Sequence, residues 1–236
     1  MIERGLLVNR VVVPGTNIVA RSSDAWFGMP QDAADLRARP RGDATLGVLH
    51  WSAGPFRAGE VAATALVGAM KGRLREDGTP MSVSCHFLVD VDGGIWQTAD
   101  LSVATIHAGS AANPRSVGIE VAHPGTATNA AAIAKRLRSR GQPVHPAYDA
   151  KPVTRTARGA AIRVQPPPEA QTRGVVALCE LLTTLPAETG VVIPRQLALS
   201  GPPRSRRGFC EHQHLPGLKL DAAGLWVDAL RAAGWR

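Results

Sequence analysis

The chain has 236 residues, 44% of them hydrophobic, and a net charge of +8 from 27 basic and 19 acidic residues, enough apolar material for one substantial core. Three scattered cysteines (Cys85, Cys179, Cys210) without a CxxC pair exclude a disulfide framework and a cysteine-based structural zinc site. No run approaches the roughly 18 apolar residues of a membrane span, and the N-terminal run LLVNRVVV is broken by Asn9 and Arg10 and is too short for a secretory core, so the expectation is a monomer made in the cytoplasm without a signal peptide, wherever it later acts.

The excess charge is local. Between His123 and Pro168 stand Lys135, Arg136, Arg138, Arg140, Lys151, Arg155, Arg158 and Arg163 against a single acid, Asp149. Such a segment either binds a polyanion or is a solvated, mobile insertion. Tyr148 is its only aromatic residue, which argues against a stacking surface for single strands, and no specific nucleic-acid partner is expected.

In chain order, residues 1–43 read as a polar lead-in with one short apolar strand over Leu6–Val13, and residues 44–236 as a single catalytic domain. Ala44–Trp51, ATLGVLHW, reads as a buried strand that ends at His50 before the turn Ser52–Pro55. A histidine there is either a hydrogen-bonded structural residue or part of a site. Ala58–Leu74 carries apolar residues at helical spacing and closes at Gly78 and Pro80. Ser82–Val91 and Gly94–Gln97 read as a hairpin around Asp92-Gly93-Gly94, with His86 packing in its first strand.

Next comes Ala104–Gly109, then Asn113-Pro114-Arg115, then the strand Ser116–Val121, SVGIEV, whose one charge is Glu120. A carboxylate among apolar strand neighbours is costly unless it is paired or working, which leaves a salt-bridge partner and a catalytic group both open. Pro166-Pro167-Pro168 initiates a helix with Val175, Val176, Leu178, Leu181 and Leu182 on its apolar stripe. Val191–Ala198 is a strand or loop, and Leu218–Trp235 has a helical pattern in which Trp226 and Trp235 read as packing.

The segment from Cys210 to Asp221 gathers His212, His214, Lys219 and Asp221 around a Pro216-Gly217 turn. Imidazole nitrogen and carboxylate oxygen suit Zn²⁺, and a catalytic zinc takes three protein ligands with one position open, so this segment needs a partner from elsewhere. Either histidine can serve, and Cys210 adds a thiol just upstream.

Five ordered pieces resemble the zinc-dependent N-acetylmuramoyl-L-alanine amidase family, shared with peptidoglycan recognition proteins and phage lysozymes of the T7 kind. They are the strand ending in His50, the SVSCHFLVDVDGGIWQ hairpin, the IHAG turn, the SVGIEV strand, and the H-x₆-K-x-D pattern of His212, Lys219 and Asp221. The resemblance implies an α/β fold with a mixed central sheet flanked by helices, zinc at the strand ends, and a basic insertion at about 123–166. It implies one Zn²⁺ ligated by His50, His212 and Asp221, with Glu120 as acid/base, Lys219 facing the reacting carbonyl and His107 lining the substrate groove. Spacing to Lys219 favours His212 over His214.

The implied reaction is hydrolysis of the amide between N-acetylmuramic acid and L-alanine in peptidoglycan or muropeptides, with cell-wall lysis as the expected setting. The alternatives are a non-catalytic peptidoglycan-binding module, expected to have lost a ligand, and a cytoplasmic anhydro-muropeptide recycling amidase. One departure stands out: the family usually continues Asp-Pro-Gly after its last ligand, whereas Ala222-Ala223-Gly224 follows Asp221, so the turn must be built differently. The insertion leaves the core beside the site and returns to it, which implies a longer groove or a hold on anionic wall polymers.

Overall fold

Short apolar, β-branched runs punctuated by Gly, Pro and Asp become strands of two to six residues in the computed structural model, and the longer apolar-periodic runs become helices. It describes residues 2–4, 6–8, 11–13, 18–21, 37–38, 44–57, 59–71, 78, 83–216 and 221–236, with the backbone alone up to residue 38 and at 59, 60 and 71. The strands are β1 (Ile2–Arg4), β2 (Leu6–Val8), β3 (Val11–Val13), β4 (Ile18–Arg21), β5 (Arg37–Ala38), β6 (Leu46–Trp51), β7 (Phe87–Val89), β8 (Ile95–Gln97), β9 (Val103–Ala104), β10 (Ser116–Val121), β11 (Val153–Ala157), β12 (Ala160–Val164) and β13 (Gly208–Glu211). The helices are α1 (Gly59–Lys71), α2 (Ala127–Ser139), α3 (Glu169–Thr183) and α4 (Leu225–Ala232).

Seven strands make one mixed sheet in the order β1-β4-β8-β7-β10-β6-β13, the mixed, helix-flanked architecture expected from the sequence. β10 runs parallel to both β6 and β7, and β13 runs parallel to β6. All six residues of β10 are buried, as befits a central parallel strand covered on both faces. Side chains alternate between faces with period two. Val117, Ile119 and Val121 join Leu49, Phe209, Val175, Leu178, Trp226 and Leu230 in the main core beneath α3 and α4. On the other face α1 lays Ala62, Ala63, Leu66, Val67 and Met70 over Leu88, Trp96 and Ala122.

Several expected elements take a different form. The single strand over Leu6–Val13 is a hairpin in which β2 and β3 pair antiparallel, Leu6 opposite Val13; the interrupting Asn9 and Arg10 lie outside the described residues. β4 from the expected lead-in pairs parallel with β8 and antiparallel with the edge strand β1. Helix α1 is described to Lys71, and residues 72–77 lie outside the described residues. The long strand Ser82–Val91 shortens to Phe87–Val89 because Asp90 turns inward. Its Oδ1 accepts from the Asp92 and Gly94 amides at 3.0 and 2.8 Å, and its Oδ2 from the Trp96 indole at 3.0 Å. Gly93 has φ 83°, and a Cβ there would lie 2.3 Å from the Ala170 carbonyl, so only glycine lets α3 pack on this turn.

The basic segment is folded onto the core rather than loose. Thr126 caps α2 by accepting from the Asn129 amide at 3.2 Å, and the helix buries Ala130, Ile133 and Ala134 while exposing Lys135, Arg136 and Arg138. Alanine-rich helix propensity and the cap outweigh the repulsion among the like charges. β11 and β12 return as a hairpin, from which Arg155 pairs with Asp228 of α4. Asn129 Nδ2 donates to the Ala53 carbonyl at 2.9 Å, and the Phe56 amide donates to the Tyr148 hydroxyl at 2.9 Å, so the insertion braces the loop that follows β6. Among the described residues no helix is long and apolar enough to cross a membrane.

Candidate active site

β6 sends Gly47, Leu49 and Trp51 to one face and Leu46, Val48 and His50 to the other, which leaves His50 2% exposed on the face away from the main core. β13 lies beside β6 with Glu211 opposite Leu49, so the next residue, His212, arrives beside His50, their ring centroids 4.6 Å apart. Asp221 closes the group. Its Oδ2 stands 2.9 Å from His50 Nδ1 and 3.3 Å from His212 Nδ1, and its Oδ1 accepts from the Trp51 amide at 2.7 Å. Burial alone would raise the Asp221 carboxyl; the hydrogen bonds from His212 and His50, the charge of His50 and the Trp51 amide together hold it well below the ordinary carboxylate range.

One ligand atom from each of His50, His212 and Asp221 lies within 4.8 Å of the others. Two imidazole nitrogens and a carboxylate oxygen in that span, one of them tied by a backbone amide, fit a tetrahedral Zn²⁺ site with one open position. His214 turns away, its Nδ1 accepting from the Glu211 amide at 3.2 Å. Cys210 packs with Leu46 and Val48, and burial pushes its thiol up to about 12, so neither stands with the ligand group. Lys219 lies outside the described residues, as do its neighbours 217, 218 and 220.

The unusual turn after Asp221 is left-handed, with φ of 69° at Ala222, 46° at Ala223 and 83° at Gly224. Alanine enters that region at a cost, so something must hold the turn. Glu211 does so: its Oε2 accepts from the Gly224 amide at 2.6 Å, and its Oε1 from the amides of Trp226 and Val227 at 2.7 and 3.1 Å. This buried carboxylate caps α4 where the helix dipole favours a negative charge. Burial nevertheless pushes its pKa up to about 7 against those amides and the Gln213 side chain. One residue therefore precedes the ligand candidate His212 and clamps the turn that follows Asp221. In the sequence its only signal is the one Glu120 also gives, a carboxylate at an apolar strand, GFCE, where a charge is costly unless it is paired or working.

Glu120 is 7% exposed and sits opposite His50 in the β10–β6 register, on the same face of the sheet. On its other side it is opposite Leu88 of β7, and the Cys85 thiol lies close enough for the carboxylate to help raise it. Beyond Glu120 on the same face, Leu88 and Ala122 floor a cleft of about 100 Å³ walled by Ser52, Arg57, Leu66 and Ala69. His107 Nδ1 lies 3.0 Å from His50 Nε2. His86 packs as expected, its Nε2 2.9 Å from the Val103 carbonyl and its Nδ1 accepting from the Gly118 amide at 3.0 Å.

The profile of the N-acetylmuramoyl-L-alanine amidase family matches residues 40–190, well over half of the chain. The chain belongs to that amidase family. The matched span holds His50, His107 and Glu120, whereas His212 and Asp221 lie beyond it and come to His50 through β13 and the turn before α4. No curated protein matches the sequence. Among solved structures, this chain resembles N-acetylmuramoyl-L-alanine amidase LysC from Clostridium intestinale at 10% identity and TM-score 0.48, covering 93% of this chain and 98% of that one. It resembles the Ph2119 endolysin of a Thermus scotoductus bacteriophage at 16% identity and TM-score 0.47, covering 93% and 99%. A human peptidoglycan recognition protein bound to a muramyl pentapeptide matches at 13% identity and TM-score 0.41, covering 77% and 80%.

Proposed function

We propose that this amidase-family chain hydrolyses the amide between N-acetylmuramic acid and L-alanine in peptidoglycan, with one Zn²⁺ held by His50, His212 and Asp221. The observation that carries the reading is the convergence of those three ligand atoms within 4.8 Å on the sheet face that also bears Glu120. A Zn²⁺ ion bound there supplies Lewis acidity, which makes a water nucleophilic near neutral pH. Glu120 takes the proton of the attacking water and returns it to the leaving nitrogen, so the hydroxyl stays on the lactyl carbon and L-alanine departs with a free amine. Lys219, two residues before Asp221, stabilises the oxyanion that develops on the attacked carbonyl.

We take the setting to be the intact cell wall, acted on by a single copy of the chain. The exposed cations of α2 and Lys151 favour an anionic polymer over a small soluble fragment. The test is product mass spectrometry from purified sacculi and from soluble anhydro-muropeptides, with and without a chelator. The expected result is release of stem peptides with free L-alanine amino termini from sacculi, lost on chelation and restored by Zn²⁺. Chelator-insensitive release, or binding to sacculi without cleavage by the zinc-loaded chain, overturns the reading; cleavage of the soluble fragments alone makes it a recycling enzyme.

A further inference from the structure

His107 stands 57 positions from His50 in the chain, yet its Nδ1 is 3.0 Å from His50 Nε2 while its own Nε2 is 3.0 Å from Ser116 Oγ. The two imidazoles meet edge to face, at 86° with centroids 5.2 Å apart. Two further features hold His107 in place. Asn113 Oδ1 accepts from the amides of both His107 and Ala108, at 3.1 and 2.7 Å. The ring lies over Gly118, where an added Cβ would come within 2.7 Å of it. Ser116, Gly118 and Glu120 occupy successive same-face positions of β10, so one strand supplies a hydroxyl for the ring, the space beneath it and the proposed acid/base.

A neutral imidazole carries one N–H and one lone pair, and a metal-ligating histidine needs an acceptor for the nitrogen that faces away from the ion. In His50 the nitrogen facing Asp221 Oδ2, which His212 Nδ1 also approaches, is Nδ1, and the one facing His107 is Nε2. When a cation takes the Nδ1 lone pair, the remaining hydrogen is on Nε2 and points at His107 Nδ1. His107 then accepts at Nδ1 and carries its own hydrogen on Nε2, where Ser116 Oγ accepts it. Every nitrogen in the relay has a partner of the right sense.

We propose that His107, locked by Ser116 and seated on Gly118, is a positioning residue that fixes the ring and tautomer of His50 with Nδ1 turned to the metal site. This rests on reading His50, His212 and Asp221 as that site, and it gives His107 a different task from lining the substrate groove.

The experiment loads the full chain with Co²⁺ as a spectroscopic stand-in for zinc. It compares His107→Ala, His107→Asn and Ser116→Ala by chelator competition, visible absorption and thermal melting. His107→Ala is expected to weaken cobalt binding by about 10- to 100-fold and to alter the absorption band. His107→Asn, whose Oδ1 keeps an acceptor on the same branch of the side chain, recovers part of the affinity. Ser116→Ala gives a smaller loss in the same direction and keeps the test open where His107→Ala does not fold. Wild-type cobalt affinity and spectrum in the folded variants, with only KM raised or only melting lowered, overturn the proposal while leaving the metal site standing. Failure of the unaltered chain to bind cobalt overturns the metal site itself.

Discussion

On β6 and β10, adjacent residues meet opposite surroundings. Leu49 and Ile119 are sealed with Phe209 of β13 against α3 and α4, whereas His50 and Glu120, one position along each strand, face the group completed by His212 and Asp221. The apolar face has close-packed hydrocarbon in which the damage done by a substitution is a matter of volume. The polar face is ordered by hydrogen bonds among His50, Asp221, His107 and Ser116, where the damage is a matter of charge and proton position. One backbone thus anchors the fold and aims the chemistry, because a strand's period of two separates the tasks by a single residue.

The sharpest way to break this division is to change one residue from each face of β10. Glu120→Gln keeps shape and volume but removes the carboxylate that takes up and returns the proton, and turnover of peptidoglycan is expected to fall by about 10²- to 10⁴-fold with little change in melting temperature. Ile119→Ala is expected to do the reverse, lowering stability by about 2–5 kcal/mol while activity per folded molecule is retained. Denaturant unfolding and assays normalised to the folded fraction read both. A Glu120→Gln protein that unfolds, or an Ile119→Ala protein that melts normally but is inactive, ends the comparison.

A smaller effect concerns a histidine buried among aromatic rings. His123 is fully buried among Trp51, Phe56 and Trp226, and burial pushes its pKa down to about 3. Below about pH 6.5 the unfolded chain takes up a proton that the folded chain refuses until about pH 3. The stability contribution is therefore complete above that window and falls by about 1.4 kcal/mol for each pH unit as the medium is acidified through it. Unfolding titrations from pH 7 to 4 on the parent and on His123→Phe check this; the variant is expected to lose about one proton's worth of slope, and equal slopes would count against the burial argument.

Some of the fold and the site is legible from local pattern. SVGIEV becomes β10 at its expected ends, and its lone carboxylate is buried beside His50. The helix expected after Pro168 starts at Glu169, and Trp226 and Trp235 are both packed in the core. Helix α2 was hidden by its own charge. Its buried stripe is only Ala130, Ile133 and Ala134, so the cluster of lysines and arginines dominates the pattern while alanine propensity and the Thr126 cap decide the structure. Glu211 was hidden for another reason: its amide partners come 13 to 16 residues later, across a left-handed turn that Ala222 and Ala223 do not advertise.

By itself the sequence singled out the candidate site residues, because ligating and proton-transferring side chains are few and their setting among apolar strand residues marks them. It also determined which segments form the sheet, because hydrophobic periodicity is a local property. Only the tertiary structure decided that the His50, His212 and Asp221 side chains meet, that His107 bears on His50, and that Glu211 holds the turn before α4. Those outcomes depend on which strands lie side by side and in what register, and contacts across 57 or 171 residues leave no periodic trace in the chain that makes them.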